Sequence, residues 1–218
     1  MADLVLRPEH RQKALELLTQ PLREMLVEYP LVVAGGFIRA IVAGEEPRDI
    51  DVFLNDQGLA AELAGRYSGQ CGAPPPGRSS KAITVWPKDG IPVQFIYRWH
   101  FESPEDLIGS FDLTLSKAAL WCDGEIWRSV VDPAFYPDVA LRRITFVPPD
   151  RDDEDGAALL RILKFYRRGY RTNLSSLAAA VARLVDRDDE EPLTADLLAA
   201  LREVEDCSDV DKKVYFRD

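Results

Sequence analysis

Gly35-Gly36-Phe37-Ile38-Arg39, then nine residues, then Asp49-Ile50-Asp51 is the stretch whose reading decides the fold. Leu31 to Ala34 just before it is apolar and predicts a buried strand. The two glycines allow a tight turn and a close approach of backbone to a ligand. Residues Phe37 to Val42 then open a helix, whose first N–H groups and positive dipole end favour phosphate. Asp49 and Asp51 lie two apart at the head of the strand Ile50 to Leu54, so both carboxylates project from one sheet face. Side by side they repel, unless they hold a hard cation such as Mg2+. Singly, a Gly-Gly is a turn and an Asp-x-Asp a solvated strand start. In this order they are the equipment of phosphoryl or nucleotidyl transfer.

The stretch Gly35 to Phe53 resembles the head domain of tRNA nucleotidyltransferases and bacterial poly(A) polymerases, within the polymerase-beta-like nucleotidyltransferase superfamily. The shared pattern is Gly-Gly-x-x-Arg, a small linker and Asp-x-Asp, carried here by Gly35, Gly36, Arg39, Asp49 and Asp51; Ala40 departs from the aspartate common after the arginine. The resemblance implies an α/β (α+β) head with a short, mixed, twisted sheet and flanking helices. It implies that Asp49 and Asp51 hold Mg2+ on a nucleoside triphosphate such as ATP, and that Gly35, Gly36 and Arg39 hold its β and γ phosphates.

Three further segments echo the family in part. The strand at Val93 to Ile96 corresponds to one that often supplies a third carboxylate, and carries Gln94 instead. Ser110-Phe111-Asp112-Leu113-Thr114 resembles Arg-Arg-Asp-x-Thr, with only Asp112 and Thr114 matching. The resemblance makes Asp112 a ribose contact or an auxiliary metal ligand; the alternative is a cap beside Thr114. Glu154-Asp155 followed by Leu159-Leu160-Arg161 resembles the neck-helix motif, in which Asp155 matches the base-reading aspartate and Ala158 replaces the first arginine. Arg161, Lys164, Arg168 and Arg171 recur at three- and four-residue steps, which predicts a basic stripe on one helix side. It serves either as a grip for triphosphate or acceptor phosphates, or as a solvated face.

Composition sets bounds. In 218 residues, 46% hydrophobic and 29% charged, there is room for a head and a helical appendage. No apolar run approaches membrane-spanning length, and Met1 to Glu9 lacks a signal-peptide pattern. Cys71, Cys122 and Cys207 are odd in number and widely spaced, which points to free thiols and a cytoplasmic protein. His10 and His100 are too scattered for a metal site. The net charge of −10 excludes a broad basic surface, so an RNA acceptor needs a local basic patch. Otherwise the acceptor is a protein or a small molecule.

The expected order is a helix from Glu9 to Glu28, divided or kinked by Pro21; the glycine turn and second strand; a helix from Gln57 to Arg66; and a Gly/Pro/Ser-rich loop from Ser68 to Ser80. Two hairpins follow, turning at Lys88-Asp89-Gly90 and Asp123-Gly124. Residues 1–149 form the head, and 150–218 a helical, neck-like domain with helices at Asp152 to Arg168, Leu174 to Val185 and Thr194 to Val204. The expected activity is Mg2+-dependent transfer of a nucleoside monophosphate from a nucleoside triphosphate to an acceptor hydroxyl, first of all an RNA 3′ end. The alternatives are nucleotidylation of a protein or small molecule, and nucleotide binding without turnover.

Overall fold

A computed structural model describes residues 4–149 and 155–185. The chain forms two compact units that divide between Leu141 and Arg142. The first is built on a mixed seven-stranded sheet in the order β3-β4-β5-β2-β1-β6-β7. Its strands are β1 (Val32–Ala34), β2 (Ile50–Phe53), β3 (Gly77–Arg78), β4 (Ala82–Val85), β5 (Val93–Ile96), β6 (Ala118–Asp123) and β7 (Ile126–Val131). Only β2 and β5 run parallel; every other pairing in this sheet is antiparallel.

The expected N-terminal helix is two helices, α1 (Pro8–Leu17) and α2 (Gln20–Glu28). Leu18 is extended, and the Thr19 hydroxyl accepts from the Leu22 amide to start the second helix. Pro21 falls in the first turn of α2, where its missing N–H costs nothing, and so it divides the helix instead of bending it. Next come α3 (Gly36–Ala43) and α4 (Gln57–Gln70), the latter capped by Asp56 and one turn longer than expected. Tyr67 of α4 is fully buried and meets Phe95 of β5 edge-on, ring centres 6.2 Å apart. With Val33, Val52, Ile83 and Leu120 this is one side of the core.

The opposite sheet face carries Val32, Ala34, Phe53 and Ala119, packed on Leu107 and Ile108 of α5 (Pro104–Gly109). That helix was not expected. Its Ser103 cap, Pro104 and two acids in the first turn are a compact start signal on a six-residue element. The Ser68 to Ser80 loop also holds an unexpected edge strand, β3, where the Trp86 ring lies against Gly77. The second hairpin turns at Gly124 and Glu125, both with positive φ, one residue later than read from Asp123-Gly124. Trp121 joins the face shared with α5, while Trp127 pairs with Cys122 on the other face. A short helix α6 (Phe135–Ala140) closes the unit.

The second unit contains β8 (Arg143–Ile144), α7 (Asp155–Arg167), β9 (Arg171–Thr172) and α8 (Leu174–Val185), with β8 and β9 parallel. The helix expected at Thr194 to Val204 lies outside the described residues. No helix among the described residues is long and apolar enough to cross a membrane.

Candidate nucleotide and metal site

Strand alternation puts Asp49, Asp51 and Phe53 on the sheet face covered in part by α5. In the parallel register Asp51 lies directly beside Gln94, and Gln94 beside Thr84 of β4. Both aspartates are half-buried. Dense packing around Asp51, and secondarily the charge of Asp49, push its carboxyl up to about 7. Without a cation Asp51 therefore keeps its proton to a higher pH than an ordinary carboxyl does. Gln94 Nε2 reaches Asp49 Oδ2 only at 3.5 Å, the long limit of a hydrogen bond.

The glycine turn faces this pair. Gly35 has φ +83° and ψ −131°, a conformation that residues with a Cβ rarely adopt. A Cβ built there would sit 3.9 Å from Asp51 Oδ2 and 3.8 Å from the Phe111 ring, which is ordinary contact. Backbone conformation, not space, is what requires glycine at 35. At Gly36 a Cβ would meet nothing within 4 Å among the described residues, so these leave the start of α3 open. Among the described residues no side chain caps that helix, and the first N–H groups of a helix have no partner within the helix itself.

Arg39, expected to hold phosphate, is 4% exposed, and its Nη1 donates to Glu45 Oε2. Gly44 adopts a left-handed conformation after α3, the Glu45 amide donates to the Ala40 carbonyl at 2.8 Å, and the chain reverses to bring Glu45 against Arg39. Thr114, expected at the nucleotide, donates its hydroxyl to Asp138 Oδ2 of α6 in a fully buried pair. Asp112 is 7% exposed. Among the described residues no three His, Cys, Asp or Glu side chains gather at one point. Asp112 does not join Asp49 and Asp51 in such a group. Phe111, read from the sequence only as a lost arginine, walls the site instead. Its ring pairs with Phe53 at 5.7 Å.

Two carboxylates on one face beside an open helix start fit Mg2+, which binds through one or two carboxylates and completes its shell with water and substrate phosphates. In the second unit, Asp155 opens α7, but its side chain is outside the described residues; Ala158 is buried. Arg161 is half-buried and Lys164 exposed on α7. The expected stripe does not continue along the helix to Arg171, because α7 ends at Arg167. Gly169 is left-handed, its amide donates to the Tyr166 carbonyl, and Tyr170 donates to the Phe165 carbonyl. The Phe165 and Tyr170 rings then meet at 5.4 Å, completing a Schellman stop.

Comparison with known proteins bears on the family and the fold. The family model of the Gabija anti-defense 2 proteins (Gad2) matches residues 9–142. No curated protein matches. Among solved structures, a CCA-adding enzyme in complex with CTP superposes with a TM-score of 0.63 at 15% identity, over 89% of this chain and 49% of that one. A tRNA nucleotidyltransferase with a primer tRNA and an incoming ATP analogue gives 0.60 at 18% identity, over 86% and 59%. The Thermotoga maritima CCA-adding enzyme complexed with tRNA gives 0.57 at 16%, over 94% and 56%. The chain spans about half to three fifths of these enzymes' length. At such identities the likeness establishes the fold, that of a nucleotidyltransferase head.

Proposed function

The chain belongs to the Gabija anti-defense 2 family, and from that premise we propose that it is a divalent-metal-dependent nucleotidyltransferase whose transfer reaction counters that defence. It moves a nucleoside monophosphate from a nucleoside triphosphate to an acceptor hydroxyl, in the first reading that of an RNA 3′ end. The observation that carries this is the Gly35 turn set against Asp51, with Asp49 on the same face and an open helix start alongside. Asp49 and Asp51 hold the cation, with Gln94 as neighbour. When bound, Mg2+ would polarise the triphosphate, activate the attacking hydroxyl and stabilise departing pyrophosphate. The N–H groups at Gly36 and after it receive the phosphates without reorganisation. Phe111 and Phe53 keep bulk water from one side of the carboxylates, which strengthens their hold on the cation.

The family's anti-defense description and the acidic chain favour a second acceptor, a protein component of the defence. Neutral compartments of the cell, cytoplasm included, supply the triphosphate and Mg2+ for either. Incubation of the purified protein with labelled nucleoside triphosphates and Mg2+, together with cell RNA or cell protein, tests both. Label should enter one acceptor and be lost in Asp51→Asn. Label that persists in the variant, or enters neither acceptor, would overturn the proposal.

A further inference from the structure

Phe111 lies just past the end of α5, and its amide donates to the Ile108 carbonyl at 3.2 Å. Its ring is half-buried and leans on the core through Phe53, ring centres 5.7 Å apart. The ring's Cε2 stands 3.8 Å from the point that a Cβ at Gly35 would occupy, and Asp51 Oδ2 stands 3.9 Å from the same point. An aromatic ring, the glycine turn and a carboxylate therefore meet at one spot. The polar residues on either side of Phe111 in the chain are engaged elsewhere. The Ser110 hydroxyl donates to the Leu107 carbonyl at 2.7 Å, and Asp112 is buried.

Core packing accounts for the buried part of this ring. The rest stays accessible in a site otherwise built for charge. A triphosphate and a hydrated cation gain little from an apolar ring, because both need oxygen, N–H or water partners. The sugar is the uncharged group bonded to the α-phosphate, so it is the next part of a nucleotide to reach the turn. Its C–H face can pack on an aromatic ring, whereas its 2′-hydroxyl finds neither a strong donor nor a strong acceptor there. A site built to hydrogen-bond a hydroxyl rejects the analogue lacking it by about 10⁴-fold or more, while an apolar contact separates the two only weakly. We infer that Phe111 is the sugar-contacting wall of the site, and that the site admits 2′-deoxynucleoside triphosphates as well as ribonucleoside triphosphates. This rests on the triphosphate site proposed above and names the sugars that it takes.

The test is isothermal titration calorimetry of the full-length protein with ATP, 2′-deoxy-ATP and inorganic tripolyphosphate, each with Mg2+ and with no acceptor present. The two nucleotides should bind within about tenfold of each other, and both more tightly than tripolyphosphate. Phe111→Ala should weaken both nucleotides about tenfold and leave tripolyphosphate as it was. Where circular dichroism shows that variant unfolded, Phe111→Leu is read in its place, with a loss of about threefold confined to the nucleotides. A preference for ATP over 2′-deoxy-ATP of more than about tenfold overturns the inference. So does nucleotide affinity unmoved in the folded variant, or a loss that tripolyphosphate shares equally. In each of these cases tripolyphosphate still bound by the parent leaves the triphosphate site standing. Binding of none of the three ligands removes that site, and the role of Phe111 with it.

Discussion

Asp51 of β2 and Gln94 of β5 stand side by side in the parallel register at the centre of the sheet, an acid next to an amide. Where the resemblance implies a third carboxylate, this chain has a neutral amide. The choice spares a site in which one carboxyl is already pushed up to about 7.

Gln94→Glu should reveal that trade. A third carboxylate raises repulsion in the cation-free protein, and each pKa unit of resistance to ionisation corresponds to about 1.4 kcal/mol. The variant should melt lower than the parent at pH 8 without metal, and gain more on adding Mg2+. Differential scanning calorimetry with and without Mg2+ measures both changes. Equal gains in the two proteins would mean that position 94 does not face the cation.

The raised carboxyl of Asp51 gives stability a definite pH dependence. Its folded value, about 7, lies above the ordinary 3.8, so between those values the folded state holds a proton that the unfolded state has lost. Stability in the absence of metal should therefore fall as pH rises through this window, and level off above it. Asp51→Asn should remove this part of the slope, and saturating Mg2+ should suppress it in the parent. Chemical denaturation at pH 5 and at pH 8 compares them; a variant with the parent's slope would assign the effect to another group.

Arg39 is predicted to act through Glu45. Removing Glu45 leaves a buried guanidinium without that carboxylate, and one-sided deletions of buried pairs cost up to about 3–5 kcal/mol. Glu45 retains some solvent contact, so Glu45→Gln should cost less, roughly 1–2 kcal/mol. The loss should appear as a lower melting temperature with an unchanged KM for the triphosphate. An unchanged melting temperature with a raised KM would return Arg39 to the phosphates.

What could be read in the sequence was local and ordered along the chain. Leu31 to Phe53 holds a strand, a glycine turn, a helix and a second strand in one short run, and each has its own signal. The head fold followed from it. Thr114 bonded to Asp138, Arg39 to Glu45, and Phe111 against Gly35 depend on how distant or reversed segments meet, which no periodicity encodes. Two helix stops are written plainly in the sequence. Gly44 and Gly169 each follow a helix and turn it back, and Gly169 is why the basic residues gather at the end of α7 and do not run along it.

The two glycines of the turn should separate by mechanism. Gly35 needs φ +83°, so Gly35→Ala imposes backbone strain of about 1–3 kcal/mol although its Cβ finds room. Gly36 has no such constraint. It is the first residue of α3, and an added methyl meets nothing. Gly36→Ala should therefore keep or slightly raise stability, by at most about 1 kcal/mol, because the unfolded chain loses freedom. Yet that methyl would project into the space where the phosphates approach the helix start. Its expected signature is a normal melting temperature with a KM for the triphosphate raised about tenfold, whereas Gly35→Ala melts lower first. Thermal melts and initial rates over a triphosphate titration give both numbers. A Gly36→Ala enzyme with the parent's KM would show that the triphosphate does not enter over the start of α3.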